Sequence, residues 1–284
     1  MDIKYYQNAA EFLAHTEKEL AKDEAKYGRI IGMARAAVRF PHLFKPEDIW
    51  FCSVNTGDKL NAVACSGRNR GEVLIEPISG DKKVLAEKLV AAVSRRLDKM
   101  TVAMGEKELT DNFTDLWCRE KNVKIISTMQ SRLFRLDKVN DVPVSPGKLR
   151  MAATGDVTLV KKWSHVFSVD IQGDRIFNMP ETDVTPVIEN HGAFFWELDG
   201  QPVSMAFRGG ETEKGISINH VYTPPELRGK GYATSCVAEL SRICLQSGKE
   251  FCMLTTDLAN PTSNSIYMKI GYKPVWDTAW HSFG

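Results

Sequence analysis

The sequence predicts an α/β protein made of two successive copies of one mixed, mostly antiparallel sheet flanked by helices. Three observations predict it. The same order of strand and helix signals occurs twice, with corresponding positions about 146 to 151 residues apart, as in Trp50 with Trp196 and Thr101 with Phe251. Each half places a glycine–aspartate pair, Gly57-Asp58 and Asp199-Gly200, between two apolar runs, which is a hairpin signal. Between the halves lies LDKVNDVPVSPG, residues 136–147, whose two prolines and one glycine read as a linker. The expected domains are residues 1–140 and 147–284, as suits a chain of 284 residues.

In the first half, IWFCSVN and NAVACSG form the hairpin and EVLIEPI the next strand. A helix over DKKVLAEKLVAAVSRRL, a strand TVAMG, a helix over TDNFTDLWCREKN and a closing strand VKIISTMQSRLFRL follow. The second half repeats this order. FFWELDGQPVSMAFR is the hairpin, and GISINHVYTPP alternates apolar and polar residues as a third strand over about 216–223. Ala233, Val237, Leu240 and Cys244 fall at helical spacing between Lys230 and Gln246, with Gly248 as a stop. FCMLTT is a buried strand, NPTSNSIYMKIG a short helix with Pro261 in its first turn and Gly271 at its end, and YKPVWDTAWHSF a last strand. Helical segments precede each copy; in the second they are DVTLVKKWSHVFSVD and the region 180–191. Only one long strand follows the last helix of each copy, which leaves strand exchange between the copies, or a shortened sheet, open.

With 43% hydrophobic and 26% charged residues, the composition is that of an ordinary globular protein with ample core. Its 37 basic and 36 acidic side chains nearly cancel, so no general electrostatic case exists for nucleic acid or an anionic membrane as partner. The start, MDIKYYQNAAEFLAH, lacks a basic-then-apolar signal pattern, and no apolar run approaches the ~20 residues that span a bilayer. The cytoplasm is expected by default. The six cysteines show no CxxC spacing and fall in apolar stretches, so buried free thiols are expected and no metal site is.

The stretch VYTPPELRGKGYATS, residues 221–235, carries the chemistry. A helix N-terminus offers unpaired amides and a partial positive charge, and glycines clear side chains from their approach. Arg228-Gly229-Lys230-Gly231-Tyr232-Ala233 stands where the third strand hands over to the long helix, and so reads as a phosphate cradle or as a plain turn. A dinucleotide fingerprint needs a third glycine, which is absent here, and a P-loop needs a Gly-Lys-Ser/Thr ending. A nicotinamide oxidoreductase is therefore disfavoured.

Arg228-x-x-Gly231-x-Ala233 after a strand ending VYTPP resembles the coenzyme A pyrophosphate loop of the GNAT superfamily of N-acetyltransferases. Asn260-x-x-Ser263-x-x-Ile266-Tyr267-x-Lys269-Ile270-Gly271-Tyr272 is similar to that superfamily's N-x-x-A-x-x-L-Y-x-K-x-G-F segment, with Ser for Ala and Tyr for Phe. The resemblance covers residues 147–284 by motif and the first half by element order. It implies two tandem GNAT-like domains, an active second copy, and acetyl-CoA as co-substrate for an amine acceptor, small molecule or peptide, that attacks directly without a covalent acyl-enzyme.

On the same resemblance, the amides of Gly229, Lys230, Gly231, Tyr232, Ala233 and Thr234 hold the pyrophosphate, and Arg228 contacts the phosphate. Val221, Tyr222 and Thr223 run beside the pantetheine arm, and the Val221 amide polarises the thioester carbonyl. Asn260 contacts the cofactor arm, and Tyr267 protonates the departing thiolate. Other readings stand beside these: Tyr267 as a core tyrosine, Asn260 as a helix cap, and Arg228 paired with Glu226 or solvent. An amine of pKa near 10 must lose a proton before attack, and Glu197, His220 and Asp257 are the candidate bases. By resemblance the segment before the hairpin lines the acceptor groove. Its acidic residues Glu181, Asp183, Glu189, Glu197 and Asp199, with no lysine or arginine over 178–199, suit a cationic amine or a merely solvated helix face.

At the equivalent turn the first half reads Ser79-Gly80-Asp81-Lys82-Lys83, with one glycine and an aspartate suited to capping. It offers no counterpart of Tyr267. The first copy is expected to keep the fold without the cofactor site. A non-catalytic acyl-CoA sensor that kept the cradle is the alternative function.

Overall fold

A computed structural model of the chain describes residues 1–39, 41, 44, 49–67, 71–172 and 181–284. The chain forms two compact units, Met1–Leu133 with Val275–Gly284, and Phe134–Pro274. In chain order come β1 (Asp2–Tyr6), α1 (Ala9–Leu20), α2 (Glu24–Arg39), β2 (Phe51–Thr56), β3 (Lys59–Ser66), β4 (Glu72–Pro77) and α3 (Lys82–Ser94). β5 (Val102–Glu106), α4 (Lys107–Lys121), β6 (Ile125–Leu136), β7 (Lys148–Met151), α5 (Val157–Gln172) and α6 (Glu181–Glu189) follow. The last are β8 (Ala193–Leu198), β9 (Gln201–Gly209), β10 (Gly215–Tyr222), α7 (Tyr232–Gln246), β11 (Phe251–Asp257), α8 (Pro261–Ile270) and β12 (Lys273–Phe283).

In the first unit the strand order is β1-β2-β3-β4-β5-β12-β6. β4 and β5 run parallel, while β1–β2, β2–β3, β3–β4 and β5–β12 are antiparallel, so the sheet is mixed and mostly antiparallel. Trp276 and Trp280 of β12 pack with Phe12, Ile30 and Phe51, while Phe283 joins Leu89, Phe113 and Trp117. In the second unit the order is β11-β10-β9-β8-β7, with only β10–β11 parallel. α7 turns Cys236, Val237, Leu240 and Cys244 onto Phe194, Trp196, Ile216 and Ile218, the face expected from their spacing. Trp163 of α5 and Val184 and Ile188 of α6 pack on Phe195, Met205 and Phe207. Asp199 and Gly200 both take positive φ, as the tight β8–β9 turn requires.

Two expectations are corrected. Residues 136–147 are no free linker: Val142 is buried among Tyr267, Ile270 and Tyr272, and Asn140 bonds through its backbone N–H to the Ile270 carbonyl at 2.8 Å and through Nδ2 to that of Lys269 at 3.1 Å. The unit spans also differ from 1–140 and 147–284, because residues from Val275 onward ladder onto β5, Thr278 opposite Glu106 through Ser282 opposite Val102. The last strand has been handed to the first unit. Of the cysteines, Cys118 is half-buried and the other five are buried, all as free thiols.

The β4–β5 ladder runs as far as Ile75 opposite Gly105, where the strands come so close that a Cβ on Gly105 would lie 1.8 Å from the Ile75 carbonyl oxygen. One residue on, Glu76 Oε2 accepts from the Glu106 backbone N–H at 3.3 Å. Glu76 is 3% exposed, and its burial, partly offset by Arg29, pushes its carboxyl up to about 8. The folded unit thus keeps a proton on Glu76 that the unfolded chain releases near the ordinary glutamate value. Stability is fully present below that ordinary value and is lost as pH rises toward 8. Glu76→Gln keeps the acceptor and removes the titration. It should raise the thermal midpoint at pH 9 by roughly 5 °C or more and change little at pH 5; parallel melting curves across that range would show that Glu76 does not titrate there.

Candidate active site

β10 and β11 are paired at Gly215–Phe251, Ile216–Cys252 and Ser217–Met253, and the ladder stops there although both strands continue, to Tyr222 and Asp257. On its other side, β10 pairs with β9 at Asn219–Phe207 and again at Tyr222–Met205. Three steps along β10 answer two along β9, a bulge that takes His220 and Val221 out of register. His220 carries the strain at φ 49°. A parallel pair that separates mid-sheet leaves main-chain groups facing a gap, and an extended molecule can fill it as an added strand.

The loop after β10 is tied down from below. Ser204 Oγ lies 3.1 Å from the Tyr222 carbonyl and 2.9 Å from Thr223 Oγ1. Tyr222 is buried against Trp163, so its ring serves packing, while Val221 packs at the edge of the opposite core face. Arg228 donates from Nε to the Thr223 carbonyl at 2.9 Å and from Nη2 to Asp170 at 3.0 Å. Its partner is thus Asp170 of α5, which spacing along the loop gave no means of seeing.

Gly229 and Gly231 take φ of 78° and 79°, and Lys230 between them does not share the left-handed region. Glycines in the left-handed region are the setting in which successive N–H groups can converge on an anion. Gly231 is the N-cap of α7 and supplies no side chain, whereas Asn8, Asp81, Glu106 and Asn260 cap α1, α3, α4 and α8 with theirs. The first-turn amides of Tyr232, Ala233 and Thr234 are therefore left for an external acceptor. Residues 228–231 are exposed, while the Tyr232 ring turns into the core, leaving its amide at the surface turn.

Asn260 caps α8, accepting from the Ser263 N–H at 3.0 Å. Tyr267 is 7% exposed and packs edge-on to Tyr272, ring centroids 6.0 Å apart. Burial pushes its phenol up, so it stays protonated and able to donate. Tyr272, also buried, pairs its hydroxyl with Ser241 at 2.8 Å.

The candidate bases fare unequally. Glu197 is held by Arg150, Nε to Oε2 at 2.5 Å, with Lys148 Nζ at 3.8 Å, and β8 stands two strands from β10. Asp257 caps the turn before α8 by accepting from the Ala259 N–H at 2.8 Å. His220 lies on the bulge itself, its ring between Phe167 at 5.0 Å and Phe207 at 4.8 Å, with Nδ1 3.0 Å from Asn219 Oδ1. Burial there lowers its imidazole to about 4, so it is neutral at physiological pH. The side chains of Glu181 and Asp183, and residues 178–180, lie outside the described residues, and Glu189 is exposed.

At the corresponding places the first unit is filled. Asp81 Oδ1 accepts from the Lys83 and Val84 N–H groups at 2.9 and 3.1 Å, occupying the amides that α7 leaves open. Glu76 occupies the position where β4 and β5 would part. Among the described residues no group of three or more His, Cys, Asp or Glu is placed to hold a metal ion, and no helix is long and apolar enough to cross a membrane.

Residues 165–272 match the model of the acetyltransferase (GNAT) family. Solved structures resemble it along its whole length. An acetyltransferase of the GNAT family from Colwellia psychrerythraea is 13% identical, with 100% of both chains covered and a TM-score of 0.56. A GCN5-related N-acetyltransferase from Sphaerobacter thermophilus is 11% identical over 98% of this chain and 94% of its own, TM-score 0.62. A tandem GNAT protein from the clavulanic acid biosynthesis pathway is 10% identical over 99% and 98%, TM-score 0.52. At such identities the likeness is one of fold, and the fold is the tandem GNAT fold. No curated protein matches the chain in sequence.

Because the His220 proton affinity is lowered by burial, its neutral ring contributes stability above its ordinary value that is lost as pH falls toward 4. In an NMR pH titration its ring signals should move with a midpoint near pH 4; a midpoint near 6.5 would place the ring in water.

Proposed function

We propose that this protein transfers an acetyl group from acetyl-CoA to an amine. The observation that carries the reading is the coincidence, within one unit, of an α7 N-terminus left without a side-chain cap and a β10–β11 ladder that stops after three pairs. A pyrophosphate fits the first and an extended pantetheine arm the second. Bound there, acetyl-CoA supplies an activated acyl group.

The amides of residues 229–234 hold the pyrophosphate oxygens. The Val221 N–H, offset by the bulge, donates to the thioester oxygen as negative charge builds on it; removing one such donor in other enzymes costs about 3 kcal/mol of barrier. Nitrogen bonds to the acyl carbon, the carbon–sulfur bond breaks, and the phenol of Tyr267 gives its proton to the departing sulfur. The proton lost by nitrogen leaves through neutral His220 or water, and Tyr267 is reprotonated from solvent. Asn260, its oxygen spent on the α8 cap, retains its amide hydrogens for the cofactor arm. Asp81 and Glu76 support a first copy that holds no second cofactor.

The alternative reading, an acyl-CoA-binding protein without turnover, is favoured by two observations: Glu197 is committed to Arg150, and His220 is a weak base. A calorimetric titration with acetyl-CoA, with NADH as control, should give one site per chain for the former and none for the latter. Gly231→Glu should abolish that binding, at a stability cost on the order of 1–2 kcal/mol, since it adds an anion at the cradle and a side chain at φ 79° beside Ser145. Tyr267→Phe should lower turnover by on the order of 100-fold at unchanged acetyl-CoA affinity. Binding with no thiol release across an amine panel would favour the sensor, and no binding at all would remove the proposal.

A further inference from the structure

Residues 136–147 cross both motif-bearing helices of their own unit. Asn140 holds the last carbonyls of α8, and Gly271, at the end of α8, lies so close that a Cβ there would be 2.8 Å from the Lys138 carbonyl. Further on, Ser145 meets the glycine loop before α7 with both of its hydrogen-bonding hydrogens. Its Oγ donates to the Lys230 carbonyl at 2.8 Å, and its N–H donates to Ser235 Oγ at 2.8 Å. Ser235 is itself in the first turn of α7, its N–H on the Gly231 carbonyl at 3.0 Å. The Pro146 carbonyl then accepts from Trp196 Nε1 at 3.0 Å, which anchors the segment to β8.

The bond to Lys230 has a directional consequence. No peptide of the described chain is cis. In a trans peptide the C=O and N–H point in opposite directions. Holding the Lys230 carbonyl on Ser145 therefore turns the Gly231 N–H away from the segment. The Ser145 Oγ also stands 2.6 Å from the place a Gly231 Cβ would take, so serine and glycine fit each other. Two left-handed residues in a three-residue exposed loop can rotate their intervening peptides at little cost, and an outside hydrogen bond selects one orientation.

We propose that Ser145 is a positioning residue of the anion cradle, fixing the Lys230–Gly231 peptide so that its N–H faces a bound pyrophosphate. This rests on the function proposed above. The supposed linker is thus part of the site: a strap whose serine sets the donor geometry of a loop 85 residues away in sequence.

The test compares the full-length protein with Ser145→Ala, using calorimetry with CoA, competition by pantetheine, which has no pyrophosphate, and the thermal midpoint of the ligand-free protein. Ser145→Ala is expected to weaken CoA about tenfold, the worth of one hydrogen bond to a charged group, with the pantetheine constant and the midpoint unchanged. Unchanged CoA affinity in Ser145→Ala, with wild type binding, overturns the role of Ser145 and leaves the proposed function standing. Equal losses for CoA and pantetheine overturn it as well, since a merely structural serine would cost both. Failure of wild type to bind CoA removes the proposed function, and this inference with it. Ser145→Thr, which keeps the hydroxyl, should bind CoA within about threefold of wild type; a loss as large as that of alanine counts against the bond to Lys230.

Discussion

The early end of the β10–β11 ladder is the constraint on which the rest of the second unit depends. A parallel pair in a sheet interior ordinarily keeps its bonds, because main-chain groups without partners are costly away from water. Here the pair parts after Ser217 and Met253, and the bulge at His220–Val221 directs β10 away from a regular course. The strain at His220 is held by the stacked rings of Phe167 and Phe207 and by Asn219. From the same splayed strand the chain passes into the Pro-Pro loop, the alternating glycines and α7. The gap for an arm and the amides for a phosphate thus share one origin.

The first unit shows the same scaffold with that constraint relieved. β4 and β5 stay paired one step further, Glu76 closes the next position, and Asp81 caps the helix that follows. The two copies differ at few positions that matter: a carboxylate in place of an open N-cap, and a side-chain acceptor in place of a gap. Lys82 completes the closure by bridging Glu106 and Glu108, both at 2.8 Å. The corresponding place in the first unit is a packed corner held by charge.

Much of this was legible in the sequence because its signals are local. Hairpins over 51–66 and 193–209, the apolar stripe of α7, and the Asn260–Pro261 start and Gly271 stop of α8 each lie within one element and appear where expected. β1 and β7 were not foreseen: DIKYY and KLRM are short and of mixed polarity, and become strands by pairing with β2 and β8. Residues 136–147 were misread for a related reason. Their prolines and glycine are equally those of a linker and of a strap, and only Asn140 on Ile270 and Ser145 on Lys230 tell the two apart. Asp170 beside Arg228, Arg150 beside Glu197 and the aromatic sandwich around His220 are long-range pairings that no spacing rule reaches.

The place of β12 bears on how the chain is made. The ten residues from Val275 to Gly284 sit between β5 and β6 in the first unit, and bring Trp276, Trp280 and Phe283 to both of its apolar faces. On a ribosome working from the N-terminus, the first unit is thus nearly all synthesised long before its missing strand exists. Until then β5 and β6 lack the strand that lies between them, and leave apolar surface that only residues 275–284 will cover. A cut at the apparent boundary near residue 140 would separate the first unit from the strand that finishes it.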